Sequence, residues 1–416
     1  MFLYNSPIVD MFKKAREGFL TLRPPVRALV FLYWIYALVS GMVGVFAQLF
    51  LYQQFTSISL NIVATMLLYT GIMAGFVIPG FAATVWRLNM KHGFLLSFFV
   101  TAGAILFLLQ TMSVAHAYAA MFIWGVGQGL FWLTVNTFEL SETVDEERDF
   151  YSSVLNAGNQ ILSLVGPATA TLLIWLSGTV FHLGTYTLLF TVAPVVYLLG
   201  FFCFAALGDY RPPRLALADV RHYFTDRTNQ AAQLYTLGGG VQQMLGTTVP
   251  PLVILAILGT ALKVGLYDTV FAIFSALVII AIAKYRTREN RLAMYGWTTG
   301  GLALTTVFLG AVFNFAALVV YTILKGILSP IRGVSSHVID LEAMELGRKE
   351  TDFYATMILR DFFLWVWRIA GGFLFLGIIG FFGTAEAALA GGLYLLAAGF
   401  VIQILGAAFF MKESRR

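Results

Sequence analysis

Four cations lie well inside long apolar stretches in the second half of the chain, and Asp361 is the one intramembrane acid that we expect near them. Lys325 and Arg332 fall in one stretch, and Arg360, Asp361 and Arg368 fall in the next. An ionisable group at bilayer depth costs at least about 2.5–3.5 kcal/mol on insertion scales, so it faces protein or water. Arginine binds carboxylates and phosphates bidentately. An excess of cations therefore predicts a site for a small organic anion.

The spacing of these residues places them on two helical faces. Lys325, Ser329, Arg332 and Ser336 follow one another at i, i+4, i+7 and i+11, and Asp361 and Arg368 are also seven apart. The alternative is structural pairing, in which Asp361 bonds Arg332 or Lys325 and backbone carbonyls hold the other cations.

Polar and aromatic side chains elsewhere are candidates for the rest of the site. Amides and rings facing a basic wall would suit an organic anion with an apolar or ring-bearing part; alternatively, the glutamines only cross-link helices. The candidates are Tyr33, Gln48, Gln128, Trp132, Tyr235 and Gln242.

The composition is that of a membrane protein. Charged residues make up 11% of the chain and apolar residues 59%, against about 25% charged residues in soluble domains. So few charges cannot cover a surface that faces water, which indicates that lipid covers most of it.

Twelve apolar stretches are long enough to cross a bilayer as helices. The predicted spans are 28–52, 60–86, 93–113, 115–138, 151–177, 183–207, 231–256, 264–285, 291–313, 315–338, 353–381 and 387–411. They give a segment 1–27, a first six-helix bundle 28–207, a linker 208–230, a second bundle 231–411 and a tail 412–416. The pair Pro24-Pro25 predicts that no helix forms before the bilayer.

The basic residues set the predicted orientation. Of the 26 Lys and Arg residues, 21 lie in the two tails and in alternate connections or at their edges, and the other five are Lys263, Lys325, Arg332, Arg360 and Arg368. The positive-inside rule then predicts cytoplasmic N and C termini. Lys263 lies near the outer edge, where its side chain can reach the interface.

A charged segment recurs 203 residues further along the chain (139 to 342). Glu139, Glu142 and Asp149 are matched by Glu342, Glu345 and Asp352, each set after the fourth span of its half, which indicates two parallel repeats. The predicted cytoplasmic gate comprises Glu142, Asp149, Arg87, Glu345, Asp352 and Arg286; the alternative is that these residues cap helices and form surface pairs. Glu139 and Asp361 are the candidate proton carriers.

Twelve spans, duplicated halves and a basic central linker resemble the major facilitator superfamily. The loop from Lys284 to Arg291 is similar to the family's basic loop motif, and Gly80-x3-Thr84-x2-Arg87-x3-Lys91 is a divergent copy of it. Gly125-Val126-Gly127-Gln128-Gly129 resembles an Arg-x-x-Gln-Gly element, with glycine in place of the arginine. Gly158 and Gly166-Pro167 partly match an antiporter pattern. The resemblance implies that spans one, four, seven and ten line a central cavity that opens to each side in turn.

These observations predict an all-α membrane protein of the major facilitator fold that carries a small organic anion by alternating access, with proton coupling left open. Two other functions are considered: a proton-coupled exporter of drugs or amphiphiles, and a sensor or assembly factor that transports nothing. No catalytic, metal, cofactor or nucleotide-binding pattern is present, so we expect no enzyme activity. The expected partners are the lipid bilayer and a small anionic solute, and we expect no nucleic-acid partner. We expect a monomer in a bacterial inner membrane.

Overall fold

The computed structural model describes residues 19–110, 113–143, 145–212, 217–282, 291–345 and 353–413. In this part of the chain, six long helices form the first half: α1 Pro24–Phe55, α2 Ile58–Trp86, α3 Lys91–Leu109, α4 Val114–Glu142, α5 Asp145–Thr179 and α6 Thr187–Leu198. Six more form the second half: α7 Arg227–Leu258, α8 Ala261–Ile282, α9 Arg291–Val312, α10 Phe315–Glu345, α11 Phe353–Phe381 and α12 Ala385–Glu413. A short linker helix, Leu217–Thr225, lies between the halves.

Each long helix matches one predicted span, with two local differences. Helical residues 19–21 end before Pro24-Pro25, and the pair then forms the first two positions of α1, four residues before the predicted span begins. Proline is favoured there because the first helical N–H groups have no intrahelical acceptor and the fixed φ suits a helix. The sixth span is not one α-helix, because α6 passes into a 3₁₀ helix at Leu199–Ala206.

Capping side chains define several helix starts. The Ser57 and Ser113 hydroxyls each accept a backbone N–H at 3.2 Å at the starts of α2 and α4. The Asp226 carboxylate accepts the Asn229 N–H at 2.9 Å at the start of α7, four residues before the predicted end of the linker. These bonds satisfy donors that the helix itself leaves free.

Nine of the helices within the described residues are long and apolar enough to cross a membrane. They are α1 to α4, α6 with its 3₁₀ extension, α7, α10, α11 and α12. Large apolar side chains such as Trp297, Phe202 and Phe381 are exposed on the outside of the bundle. Apolar groups on the outer surface are compatible with lipid as the solvent.

The two halves pack with related geometry. Within the first half α1 packs on α5 and α3 on α4, and the equivalent pairs α7 with α11 and α9 with α10 pack in the second half. Between the halves, α2 packs on α11 and α5 packs on α8. These two contacts exchange when each helix number is shifted by six, as the repeat of the charged segment predicts.

Glycines allow α4 to lie against its neighbours. A Cβ at Gly125 would lie 2.0 Å from the Leu68 carbonyl oxygen of α2, and one at Gly129 would lie 2.2 Å from that of Ile72. A Cβ at Gly127 would lie 2.2 Å from the Thr101 hydroxyl of α3. The alternating glycines therefore pack two faces of α4 and leave Gln128 directed to a third.

Hydrogen bonds connect the halves at both ends of the bundle. At the predicted outer end the Thr248 hydroxyl donates to the Thr65 hydroxyl at 3.2 Å. At the predicted cytoplasmic end the Tyr354 hydroxyl donates to the Gly80 carbonyl at 3.3 Å. The linker helix packs there too, with the Tyr223 ring stacked 6.1 Å from Phe363 of α11. Burial raises the pKa of Tyr223 to about 12.

Candidate functional site

A cavity of about 630 Å³, here called the main cavity, lies between the two halves. Residues of α1, α2, α4 and α5 line one wall, and residues of α7, α10 and α11 line the other. The resemblance implied α1, α4, α7 and α10 alone. The structure adds α2, α5 and α11, and with α11 it brings Arg360, Asp361 and Arg368 into the wall.

The first-half wall is a hydrogen-bonded group of aromatic and amide side chains. The Tyr36 hydroxyl donates to Gln128 Oε1 at 3.2 Å and accepts from Trp132 Nε1 at 3.1 Å. One turn closer to the predicted cytoplasmic end, the Tyr33 hydroxyl donates to Glu139 Oε2 at 3.1 Å. Glu139 is 6% exposed, so this carboxylate is almost removed from solvent at the cavity wall.

Arg368 lies in the opposite wall and is held by a neutral amide. Its Nε and Nη2 donate to Gln243 Oε1 at 2.9 and 2.5 Å, and its Cζ lies 4.6 Å from the centroid of the Tyr69 ring. The side chain is 7% exposed, and Nη1 is buried without a hydrogen-bond partner among the described residues. A buried guanidinium thus retains an unused N–H donor beside a cavity.

A second cavity of about 230 Å³, the side chamber, lies within the second half. Tyr69, Gln243 and Thr247 line both cavities, so the two adjoin. Lys325 and Arg332 line the side chamber, as do the predicted Gln242 and Ser329. The predicted basic face of α10 therefore reaches this chamber, while Ser336, further along that face, reaches the main cavity.

Neutral groups hold Arg332 as well. Its Nη2 donates to Gln403 Oε1 at 2.6 Å and to Gln242 Oε1 at 3.3 Å. Its Cζ lies 5.1 Å from the centroid of Phe400, and Nε is buried with no partner in the described part of the chain. Adjacent residues of α7, Gln242 and Gln243, thus anchor one guanidinium from α10 and another from α11.

Lys325 lies among aromatic rings. Its Nζ is 5.0 Å from the centroid of Phe271 and 5.4 Å from that of Tyr321. Asp268 on α8 interacts with it electrostatically. The expectation that Asp361 is the one acid near these cations is therefore wrong, because Asp268 lies in a predicted span and also faces Lys325.

Asp340 is a further acid near the cations, and it forms an ion pair with Arg360. It lies beyond the predicted end of its span, but α10 continues to Glu345. The pairing alternative required a bond from Asp361 to Arg332 or Lys325, and the structure shows neither bond. Its Oδ2 is buried without a hydrogen-bond partner among residues that the structure describes, and it interacts electrostatically with Arg368 and Arg360.

Two other candidate binding residues have less direct positions. Gln48 lines the main cavity, is 1% exposed, and accepts from the Thr65 hydroxyl at 3.3 Å. Tyr235 does not line either cavity; it packs with Tyr295 in a separate apolar cluster. Tyr235 therefore lies outside the site, although helical spacing places it on the same face of α7 as Gln242.

The predicted gate falls largely outside the described side chains. Asp352 and Arg286 lie outside the described residues, as do the side chains of Asp149 and Glu345. Arg87 is exposed at the end of α2 with a φ of 52°. The Glu142 carbonyl accepts from Arg23, which ties the start of α1 to the end of α4.

Sequence reasoning missed several residues of the site. Tyr36 follows Tyr33 by three positions and precedes Ser40 by four, so helical spacing could have included it. Tyr69, Gln243 and Gln403 carry no comparable signal. These residues belong to the site because each contacts an arginine on another helix. A single sequence does not show which buried side chain contacts which cation.

Comparison with solved structures identifies the fold. The human organic anion transporter MFSD10 (TETRAN) superposes with a TM-score of 0.58 and 15% identity, over 92% of this chain and 100% of that one. A bacterial homologue of the human lysosomal transporter Spinster, in an inward-facing and unoccupied conformation, gives a TM-score of 0.59 and 13% identity, over 94% of this chain and 96% of that one. The chain has the major facilitator fold.

No family model and no curated protein sequence matches the chain. At 13–15% identity the structural likeness establishes the fold and leaves the substrate to be argued from the site. The major facilitator fold together with the apolar helices makes this an integral, multi-pass membrane protein.

Proposed function

We propose that this chain is a secondary transporter that moves a small organic anion across a bacterial inner membrane by alternating access. The observation that carries the proposal is the state of Arg332 and Arg368. Each guanidinium is bonded to neutral glutamines, and each retains a buried N–H donor without a partner among described residues. A buried positive charge without a bonded carboxylate is costly, and a bound anion would relieve that cost.

The position of the two cavities supports transport rather than simple binding. The main cavity has walls from both halves, so its shape changes if the halves move against each other. Tyr69 of the first half donates to the Gln243 carbonyl at 3.0 Å and lies beside Arg368. An anion bound at Arg368 would therefore act on a contact between the halves. That one structural neighbour is an organic anion transporter agrees with this substrate class.

The aromatic wall supports a cargo with a ring or an apolar part. Tyr36 stacks on Phe131 at a centroid distance of 4.4 Å, and Trp132 lies edge-on to Tyr36 at 5.0 Å. The same wall would also accept an apolar drug, so it favours the exporter as the second candidate. The two candidates differ in whether flux needs the basic residues.

The test is uptake and efflux of labelled aromatic carboxylates and of a lipophilic cation in proteoliposomes. Lys325→Gln and Arg332→Gln each remove one charge from the side chamber. Charge-assisted hydrogen bonds contribute about 1.5–3 kcal/mol, so apparent anion affinity should fall roughly 10- to 150-fold. Lys263→Gln is the matched control, because this exposed lysine lines neither cavity.

Unchanged anion flux in both side-chamber variants would contradict the proposal. Flux of the cation alone, insensitive to these variants, would favour the exporter. Binding of a compound without flux of any compound would favour a protein that senses or assembles without transporting. Glu139 and Asp361 are the proposed proton carriers, and proton-driven uptake that survives Glu139→Gln and Asp361→Asn together would exclude both.

A further inference from the structure

The charges of the two adjoining cavities differ in sign. Among described lining residues, the main cavity has two cations, Arg360 and Arg368, and three carboxylates, Glu139, Asp340 and Asp361. The side chamber has two cations, Lys325 and Arg332, and no carboxylate among its described lining residues. A purely anionic cargo is suited to the side chamber and poorly suited to the acidic part of the main cavity.

Asp361 and Arg368 present both signs of charge on one helical face. They are seven residues apart on α11, which places them on the same side with their Cα atoms about 10 Å apart along the axis. Both line the main cavity. Asp361 Oδ2 and Arg368 Nη1 are each buried without a hydrogen-bond partner among the described residues, so these two atoms do not bond each other.

The neighbouring charges leave this pair available. Arg360 is bonded to Asp340, and Arg368 directs Nε and Nη2 to Gln243. Because both atoms are buried in this conformation, a ligand with an anionic group and a cationic group would bind Nη1 of Arg368 and Oδ2 of Asp361 once these side chains shift toward the main cavity that they line. The positive side chamber behind Arg368 would favour the orientation with the anionic group on that side.

We infer that the cargo is a zwitterion, whose acidic group binds at Arg368 beside the side chamber and whose ammonium binds Asp361. This inference rests on the proposed function and adds an ammonium to the anionic group that the proposed function requires of the cargo. It differs from a proton-carrying role of Asp361, in which the carboxylate exchanges a proton and makes no distinction between an anion and a zwitterion of the same length.

The experiment compares ω-aminooctanoate with octanoate, which differ by one terminal ammonium. Binding to the purified full-length protein is measured by competition against a labelled aromatic carboxylate. We expect the wild type to bind ω-aminooctanoate at least tenfold more tightly than octanoate. Asp361→Asn should remove this preference without weakening octanoate, and Asp361→Glu should largely keep it. Arg368→Gln should weaken both compounds.

Three results would overturn the inference. They are equal affinity of the wild type for the two compounds, an unchanged preference in Asp361→Asn, and an equal loss of both compounds in that variant when its thermal unfolding matches that of the wild type. In each case octanoate binding that still depends on Arg368 would leave the anion proposal standing. If neither compound competes and Arg368→Gln has no effect on the labelled carboxylate, the proposed function itself fails.

Discussion

Gln243 provides a way to separate the structural use of Arg368 from its proposed use in binding. Gln243→Leu removes the oxygen that accepts two N–H groups of Arg368. Gln243→Glu keeps an acceptor in nearly the same place and adds a negative charge. We therefore expect Gln243→Leu to lower the stability of the protein, and Gln243→Glu to lower anion affinity without lowering stability.

The expected magnitude follows from the lost bonds. Two charge-assisted hydrogen bonds at about 1.5–3 kcal/mol each give roughly 3–6 kcal/mol. Because the guanidinium borders a cavity and shares one acceptor, we take the lower figure of about 3 kcal/mol. With roughly 2 °C or less per kcal/mol for a chain of this size, the apparent Tm of Gln243→Leu should fall by about 5 °C.

Gln243→Glu should unfold at or above the wild-type temperature, because a carboxylate pairs with the guanidinium more strongly than an amide does. The same pairing neutralises Arg368, so the affinity for an aromatic carboxylate should fall at least about tenfold. The assays are thermal unfolding in detergent and stabilisation by added carboxylate, which follows mass action. Wild-type stability of Gln243→Leu, or wild-type anion affinity of Gln243→Glu, would refute this account of Arg368.

Three further predictions concern packing, the ion pair and the movement of the halves. Gly125→Ala would place a Cβ 2.0 Å from the Leu68 carbonyl oxygen and should destabilise the folded protein by about 1–3 kcal/mol or more in a thermal unfolding assay. The control Gly103→Ala, whose Cβ meets nothing within 4 Å, should be neutral or slightly stabilising in the same assay. Equal effects of the two variants would contradict the α2–α4 contact. Asp340→Asn and Arg360→Gln should be non-additive in transport rate, since each removes the same ion pair, and strict additivity would argue against that pair. The double variant Thr65→Cys/Thr248→Cys, in a Cys203→Ser background, should form a disulfide on oxidation because the native hydroxyls lie 3.2 Å apart. The oxidised protein should lose transport flux, and reduction of the disulfide should restore it. Full flux in the cross-linked protein would exclude separation of the halves at this end.

The helices were predictable because each depends on local composition. Each predicted span coincides with a helix in the described part of the chain, and nine of these helices are long and apolar enough to cross a membrane. The doubled charged segment indicated the related packing of the halves. The two departures are also local in origin. Pro24-Pro25 starts a helix because its missing N–H groups fall where none is needed, and α6 continues as a tighter 3₁₀ helix after Leu198.

The site was predictable only in part, because its chemistry depends on helix rotation. Lys325, Arg332, Arg360 and Arg368 could be singled out, since charges within apolar spans are costly wherever they face. Their partners could not be, because Gln403 and Gln243 lie 71 and 125 residues from the arginines they bond. The predicted span ends before Asp340, although α10 extends to include it, and the predicted site does not include Asp268, although this residue lies within a predicted span.

The central claim is that the guanidiniums of Arg332 and Arg368, which are hydrogen-bonded to glutamine side chains, bind a negatively charged cargo. The most direct measurement is the thermal shift of the purified wild type and of Arg332→Gln with indole-3-propionate and with tryptamine, which carry the same ring and opposite charge. The account predicts that indole-3-propionate stabilises the wild type, that tryptamine does so less, and that Arg332→Gln loses most of the stabilisation by the anion. Stabilisation by tryptamine alone, or an anion effect that persists unchanged in Arg332→Gln, would contradict it.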